Sequence, residues 1–143
     1  MKKNWIYKSK EFTEDMIPEG AVGFVYHMSV ILNGNSYAYI GKKNFYANIK
    51  KPMGKKALAQ TTDKRLKKYT RVIKPNFMNY FSSNQQLKEA HKAGCVIKRE
   101  ILMICYSTTE LTYQEVKHQF KHEVLEKEEF LNGNILDRFY KFK

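Results

Sequence analysis

The first regular pattern in the chain runs from Val22 to Leu32. Phe24, Tyr26, Met28, Val30 and Leu32 alternate there with Val25, His27, Ser29 and Ile31. A period of two predicts a β-strand. "NGN" at Asn33 to Asn35 follows, and Asn and Gly accept the positive φ of a tight primed turn, so a hairpin is predicted with Ser36 to Gly41 as its return strand. The two loop residues are either Asn33-Gly34 or Gly34-Asn35. Both choices give the same pairing parity, which puts Tyr26 and Tyr39 on one face of the hairpin. A three-residue loop without a bulge would separate them.

Residues 1–20 read as a polar, irregular N-terminal arm that ends in a turn at "IPEG". Lys42 to Lys74 has no clear period; "PMGKK" reads as loop, and "TTDKRLKKYTRVI" as a short helix capped near Thr62 or Asp63 and ended by Pro75. Ser82 or Ser83 is placed to cap a helix through "NQQLKEAHKAG", with Gly94 at its exit. "CVIKREILMICY", Cys95 to Tyr106, is β-rich and predicts a third, central strand. A second helix starts at the Ser/Thr cap of "STTELTYQEVKHQF", with Leu111, Val116, Phe120 and Val124 as its apolar stripe. "LNGN" is a loop before a short aromatic tail. The order strand, strand, helix, strand, helix predicts a small α+β fold, a three-stranded antiparallel sheet flanked by helices. With 143 residues, the chain is expected to be one domain, residues 1–143, with its core at about 22–140.

Composition narrows the class. Hydrophobic residues make up 43% and aromatics 14%, enough for a core and against disorder. No apolar run approaches the roughly 18 residues of a membrane span, and the N-terminus lacks a signal-peptide run. Cys95 and Cys105 are too few for a disulfide framework. A soluble, cytoplasmic protein with free thiols is expected.

The net charge is +12, and nearly all of it lies in one segment. Lys42 to Lys74 holds twelve Lys or Arg against one acid, Asp63, whereas the other residues almost balance. Such a block attracts polyanions and binds phosphates by counterion release. A merely solvated face is the bland account. A membrane surface fits less well, because the block has no amphipathic apolar face. Nucleic acid is the favoured partner.

"GFVY" followed by "YIG", with Tyr26 and Tyr39 at its ends, resembles the GIY-YIG nuclease signature. Phe24-Val25-Tyr26 stands where Gly-Ile-Tyr is usual, while Tyr39-Ile40-Gly41 is intact. Other segments are similar to a phage and restriction-enzyme branch of that family. These are "YIGKK", a basic stretch, "FMNYFSSNQQL" at Phe77 to Leu87, "REIL" at Arg99 to Leu102, "TYQEVKHQF" at Thr112 to Phe120, and "NGNILDRFYK" near the C-terminus. Ser82 sits where the branch has Gly. The resemblance spans roughly residues 22 to 140.

The resemblance implies metal-dependent endonuclease hydrolysis of phosphodiester bonds in double-stranded DNA, with Mg²⁺ or Mn²⁺ as cofactor. The chemistry must activate water, stabilise the charge on phosphorus and neutralise the leaving oxygen. By resemblance, Tyr26 is the general base, with its pKa depressed by Lys42, Lys43 and the metal. Tyr39 positions water or phosphate. Glu115 is the metal ligand, since one carboxylate suits a Mg²⁺ that keeps most of its waters. The family's Arg-His pair after YIG is absent; Arg71 and Lys43 are assigned in its place, and Asn134 is the late buttressing asparagine. Gly41, Lys42, Arg65, Lys67 and Lys68 complete the set as substrate-binding residues.

Glu115, His118 and His122 are spaced one helical turn apart, a spacing that zinc accepts, but no fourth ligand accompanies them, and a polar helix face is the better account. His27 has the opposite strand parity from Tyr26. Two other functions stay open: a non-catalytic DNA-binding module on the same scaffold, and an interaction protein directed at host factors. A single active site cuts one strand, so double-strand breaks require two events or a homodimer. Homing, restriction and DNA degradation are the biological roles such an enzyme serves.

Overall fold

The computed structural model describes residues 4–52 and 69–141. Its elements in chain order are β1 (Trp5–Tyr7), β2 (Lys10–Phe12), β3 (Gly23–Leu32), β4 (Asn35–Asn44), β5 (Tyr46–Pro52), β6 (Tyr69–Pro75), α1 (Gln85–Lys92), β7 (Lys98–Cys105), α2 (Thr108–Lys121), β8 (Asn134–Ile135) and β9 (Phe139–Tyr140).

The β3–β4 hairpin forms as the alternation requires. Its loop is Asn33-Gly34, with φ of 51° and 80°, and Leu32 pairs with Asn35 and Tyr26 with Gly41. Tyr26 and Tyr39 therefore share a face, their ring centroids 6.2 Å apart. The β7 strand pairs antiparallel with the other side of β3, through a register shift between Val25 and Tyr26.

The expected three-stranded antiparallel sheet is part of a larger, mixed one. Five strands run in the order β2-β1-β7-β3-β4, and β1 pairs parallel to β7, with Ile6 opposite Glu100. The arm expected to be irregular thus supplies two strands. Its turn is made by Lys8 and Ser9, with φ of 50° and 65°. Neither residue type signals a primed turn, and three-residue strands carry almost no period.

Trp5 shows why this hairpin belongs to the sheet. It is fully buried, donates its indole N–H to the Phe77 carbonyl at 2.9 Å, and packs edge-on against Phe24 and Tyr26. Phe12, Phe45 and Phe77 extend this aromatic cluster, and α1 covers it with Leu87 and Ala90. The opposite face of the sheet carries Val25, Ala38 and Ile40 under Leu111 of α2 and Val124, Leu125 and Phe130 beyond it. Both faces are covered by apolar side chains, so a side chain aimed at either face is buried unless it lies near an edge.

Helix ends follow local capping chemistry. For α1 the cap is Asn84, not Ser82 or Ser83: its Oδ1 accepts from Leu87 N–H at 3.1 Å. Gly94 exits with φ 91° as expected. For α2, Ser107 Oγ accepts from Glu110 N–H at 3.0 Å, and the Glu110 carboxylate reaches back to Tyr106 N–H. The apolar stripe is shorter than its spacing suggests. Phe120 is 52% exposed, and Val124 is buried beyond the helix end.

Tyr69 to Pro75 is a strand rather than the end of a helix; it forms with β5 a separate two-stranded ribbon in which Lys50 pairs with Arg71. Residues Thr61 to Lys68, where the remainder of that helix was expected, lie outside the described residues.

Replacing Trp5 by Ala is expected to lower folding stability by about 3–5 kcal/mol, the usual cost of emptying a large aromatic site. Urea denaturation measures it. A loss under about 1 kcal/mol would show that the N-terminal hairpin is a detachable arm.

Candidate active site

The site is organised along the outer edge of β4. Among the described residues this strand has a sheet neighbour, β3, on one side only, so the N–H groups of Ala38, Ile40 and Lys42 point away from the sheet and need other partners. Ala38 N–H donates to the Glu129 carbonyl at 2.8 Å, and the Ala38 carbonyl accepts from Leu131 N–H at 2.7 Å. Ile40 is clamped by the Asn132 side chain, whose Oδ1 accepts from Ile40 N–H at 3.1 Å while its Nδ2 donates to the Ile40 carbonyl at 2.8 Å. Gln119 Nε2 donates to the same carbonyl at 3.0 Å. The Lys42 N–H faces the Glu115 carboxylate, close enough to favour its charge. Asn132 and Gln119, from the segment after α2 and from α2 itself, thus hold the backbone of the Tyr-Ile-Gly tripeptide, and Glu115 faces its next residue.

This arrangement brings Glu115 beside Tyr39, close enough for the carboxylate charge to act on the phenol. Burial pushes the Glu115 carboxyl up, and the Lys42 charge and N–H only partly offset it. Burial also raises the Tyr39 phenol, against a hydrogen bond with Ser83 that lowers it and the Glu115 charge that raises it further.

Tyr26 lies deeper, only 1% exposed. Its hydroxyl is 3.2 Å from the Tyr80 hydroxyl and 3.2 Å from Ser82 Oγ. Burial, then the neighbouring Tyr80, pushes this phenol well above its ordinary range. This corrects the expectation that Lys42 and Lys43 depress it. The Lys42 ammonium is bound to Thr112 Oγ1 at 2.8 Å. The Lys43 ammonium sits 5.3 Å from the centre of the Tyr80 ring, held by Asn76 Oδ1 at 2.7 Å and the Asn44 carbonyl at 2.9 Å.

Gly41 has a structural reason for its size. A Cβ there would lie 2.6 Å from the Tyr26 hydroxyl oxygen and 3.0 Å from Tyr39 Cε1. The missing side chain is the space in which the two phenols meet. Ser82 holds φ 78°, a left-handed conformation that favours glycine. The family's glycine position therefore keeps its backbone shape here at some strain, and it gains a hydroxyl for Tyr26.

Arg99, 1% exposed, anchors the loop that carries Tyr80. Its Nη1 donates to the Met78 and Tyr80 carbonyls at 2.7 and 3.0 Å, and its guanidinium lies 4.9 Å from the Trp5 ring and 4.2 Å from the Phe81 ring. Burial lowers its pKa to about 10, which leaves it charged at neutral pH.

Of the residues expected from sequence, Tyr26, Tyr39, Gly41, Lys42, Lys43 and Glu115 come together. Asn134 does not join them. Its Oδ1 accepts from Asp137 N–H in the β8–β9 turn, and Asn132 is the asparagine that buttresses the strand. Arg71 lies on β6; its side chain, with Arg65, Lys67 and Lys68, falls outside the described residues. Sequence reasoning missed Asn76, Tyr80, Arg99 and Asn132, and it noted Ser82 only as a cap candidate and a glycine position. Only "FLNGN" carried a hint, and its two asparagines cannot be told apart without the strand edge. His118 and His122 bond their Nδ1 atoms to helix carbonyls at 2.7 and 2.9 Å, and among the described residues no group of three or more His, Cys, Asp or Glu is placed to hold a metal.

An α+β fold that sets two strand-borne tyrosines, a lysine and a helix glutamate at one sheet edge has the layout of a YIG-type nuclease domain. The family model described as "Putative endonuclease segE, GIY-YIG domain" matches residues 5–135, and the chain belongs to the GIY-YIG nuclease family. No curated protein and no solved structure matches it.

Nucleases of this family generally use a divalent metal. Glu115 suits a hard ion that keeps its own waters, because such an ion needs one carboxylate rather than a cage. Its half-buried charge, offset only in part by Lys42, is a place where a cation is favourable.

Two outcomes test this geometry. Asn132→Ala is expected to cost about 1–3 kcal/mol by leaving Ile40 groups unmade, and Asn134→Ala less than about 1 kcal/mol; chemical denaturation ranks them. For Tyr26 the folded pKa is raised above the unfolded value of about 10. The unfolded chain therefore loses this proton first, and stability falls as pH rises past about 10. The difference in stability between wild type and Tyr26→Phe should shrink across that window. A difference independent of pH would show that Tyr26 titrates normally.

Proposed function

We propose that this protein is a Mg²⁺- or Mn²⁺-dependent endonuclease that nicks double-stranded DNA, of the phage or restriction type, acting as a single nuclease domain in the cytoplasm of its host cell. The observation that carries this reading is the Glu115 carboxylate held beside Tyr39 and Lys42 at the outer edge of β4. A scaffold kept only for DNA binding needs basic residues, not a desolvated carboxylate at the phenols.

Glu115 would hold the ion. When bound, the metal neutralises charge on the phosphate and lowers the barrier to expelling the 3′ oxygen. Tyr39, with Ser83 beside its hydroxyl, orients the phosphate or the attacking water. Lys43, with its ammonium pinned by Asn76 and Asn44, supplies positive charge on the phenol side of the site. Lys42 is tied to Thr112, and its charge opposes the upward push that burial gives the Glu115 carboxyl. Asn132 and Gln119 keep the strand backbone in register with these groups. The basic block after β4, including Arg65, Lys67, Lys68 and Arg71, binds the DNA backbone through phosphate contacts. Two protomers acting on opposite strands would make a double-strand break.

Supercoiled plasmid incubated with wild-type protein is expected to relax only when Mg²⁺ or Mn²⁺ is added. Glu115→Ala should abolish relaxation and keep salt-sensitive DNA retention. Retention without cleavage by wild type under all conditions would overturn the nuclease reading in favour of a DNA-binding module.

A further inference from the structure

We propose that the cleft between α1 and the loop bearing Tyr80 is a second DNA-binding surface, separate from the basic block, in which Lys88 and Lys92 hold backbone phosphates of the cleaved strand next to the scissile one. This inference rests on the nuclease reading above and names the path that the substrate takes away from the phenols.

The cleft is continuous with the site. It has a volume of about 750 Å³, and its walls are the loop residues 79–83 and one side of α1. Ser82 and Ser83 belong to both. Ser82 Oγ lies 3.2 Å from the Tyr26 hydroxyl, and Ser83 stands beside the Tyr39 hydroxyl. A strand whose scissile phosphate meets Tyr39 therefore reaches the mouth of the cleft at Ser83.

Local packing aims the lysines. Leu87 and Ala90 are buried in the aromatic cluster and fix the rotation of α1 about its axis. His91 lies flat against Phe81, their ring centroids 3.7 Å apart and their planes 12° apart, and lines the cleft. Lys88 and Lys92 line it too, and both are exposed. Four residues apart on a helix, they stand one above the other, with about 5–6 Å between their Cβ atoms.

The charges suit a sugar-phosphate backbone. Neither lysine has an acidic partner among the described residues. Glu89 is the one acid lining the cleft, and Gln85 Nε2 donates to its carboxylate at 3.3 Å. Ser83 and Tyr80 add hydroxyls, and the His91 ring carries an N–H donor in either neutral tautomer. Lysines with hydroxyl donors beside them are the groups that contact phosphate, positioning a strand without reading its bases. The loop also has a cation at its other end, since Asn76 Oδ1 holds the Lys43 ammonium at 2.7 Å. A strand crossing the site is thus held on either side of the bond to be cut.

The test measures binding of a fluorescein-labelled DNA duplex by fluorescence anisotropy, in EDTA, over a range of sodium chloride concentrations. Each phosphate contact contributes about 0.9 to the slope of log affinity against log salt. Lys88→Gln and Lys92→Gln are each expected to make the slope shallower by about 0.9, and the double variant by about 1.8. Glu89→Gln should tighten binding. In plasmid nicking with Mg²⁺ the double variant should raise KM and leave kcat unchanged, the mark of lost uniform binding. Lys8→Gln, in the β1–β2 turn at the far edge of the sheet from β4, controls for net charge and should leave the slope as it is. An unmoved slope in the double variant, or an equal change in Lys8→Gln, overturns the cleft as a DNA surface. Where wild type nicks and the slopes stay put, the cleft alone fails. Wild-type protein that never nicks fails the nuclease reading, and the slopes still decide the cleft.

Discussion

The structure depends on the outer edge of one strand. Chemistry obliges β4 to find partners for every second N–H, because an edge strand buried by neighbouring segments cannot leave them to water. The partners come from a backbone carbonyl at Glu129, an amide at Asn132 and a carboxylate at Glu115. The last of these turns a requirement of the fold into a feature of the site. Facing the Lys42 N–H, Glu115 also lies next to Tyr39, with its charge half out of water. The same need that closes the sheet edge thus selects which carboxylate faces the phenols.

The second constraint is that both faces of the sheet are covered. Aromatic packing on the β3 face buries Tyr26 among Trp5, Phe24 and Tyr39, which removes it from water and raises its pKa. Burial of a hydroxyl requires hydrogen-bond partners, and the loop from Asn76 to Asn84 provides them in Ser82 and Tyr80. That loop is itself tied down by the Arg99 guanidinium through two carbonyls. Arg99 is buried between Trp5 and Phe81, so the N-terminal hairpin, the central strand β7 and the tyrosine-bearing loop are linked through one side chain. Deep phenol, surface phenol and lysine lie in that order from the core outward, with Glu115 reaching the edge from the other face of the sheet.

Much of this was legible in the sequence, and the rest was hidden for identifiable reasons. Alternation plus Asn33-Gly34 was enough to place Tyr26 and Tyr39 on one face, because a two-residue turn leaves only one parity. The YIG tripeptide pointed to the family, and the "TYQEVK" context singled out Glu115, which the fold brings near Tyr39. The N-terminal strands were not readable: three residues carry no period, and Lys8 and Ser9 make a turn normally left to Gly or Asn. The choice between Asn132 and Asn134 was also closed to sequence reasoning, since both are turn-like asparagines and only the position of Ile40 distinguishes them. The direction of the Tyr26 shift was misjudged because neighbouring lysines were visible in the sequence and the aromatic wall was not. Ser82 at a glycine position shows the opposite case, where the sequence departs from the family pattern and the backbone keeps it.

The central claim is that the Glu115 carboxylate faces the Lys42 N–H and lies beside Tyr39. Amide hydrogen exchange at Lys42, compared between wild type and Glu115→Ala, tests it most directly. The account predicts slow exchange in wild type and fast exchange in the variant, with Ile40 still protected by Asn132. Equal protection of Lys42 in both proteins would contradict it.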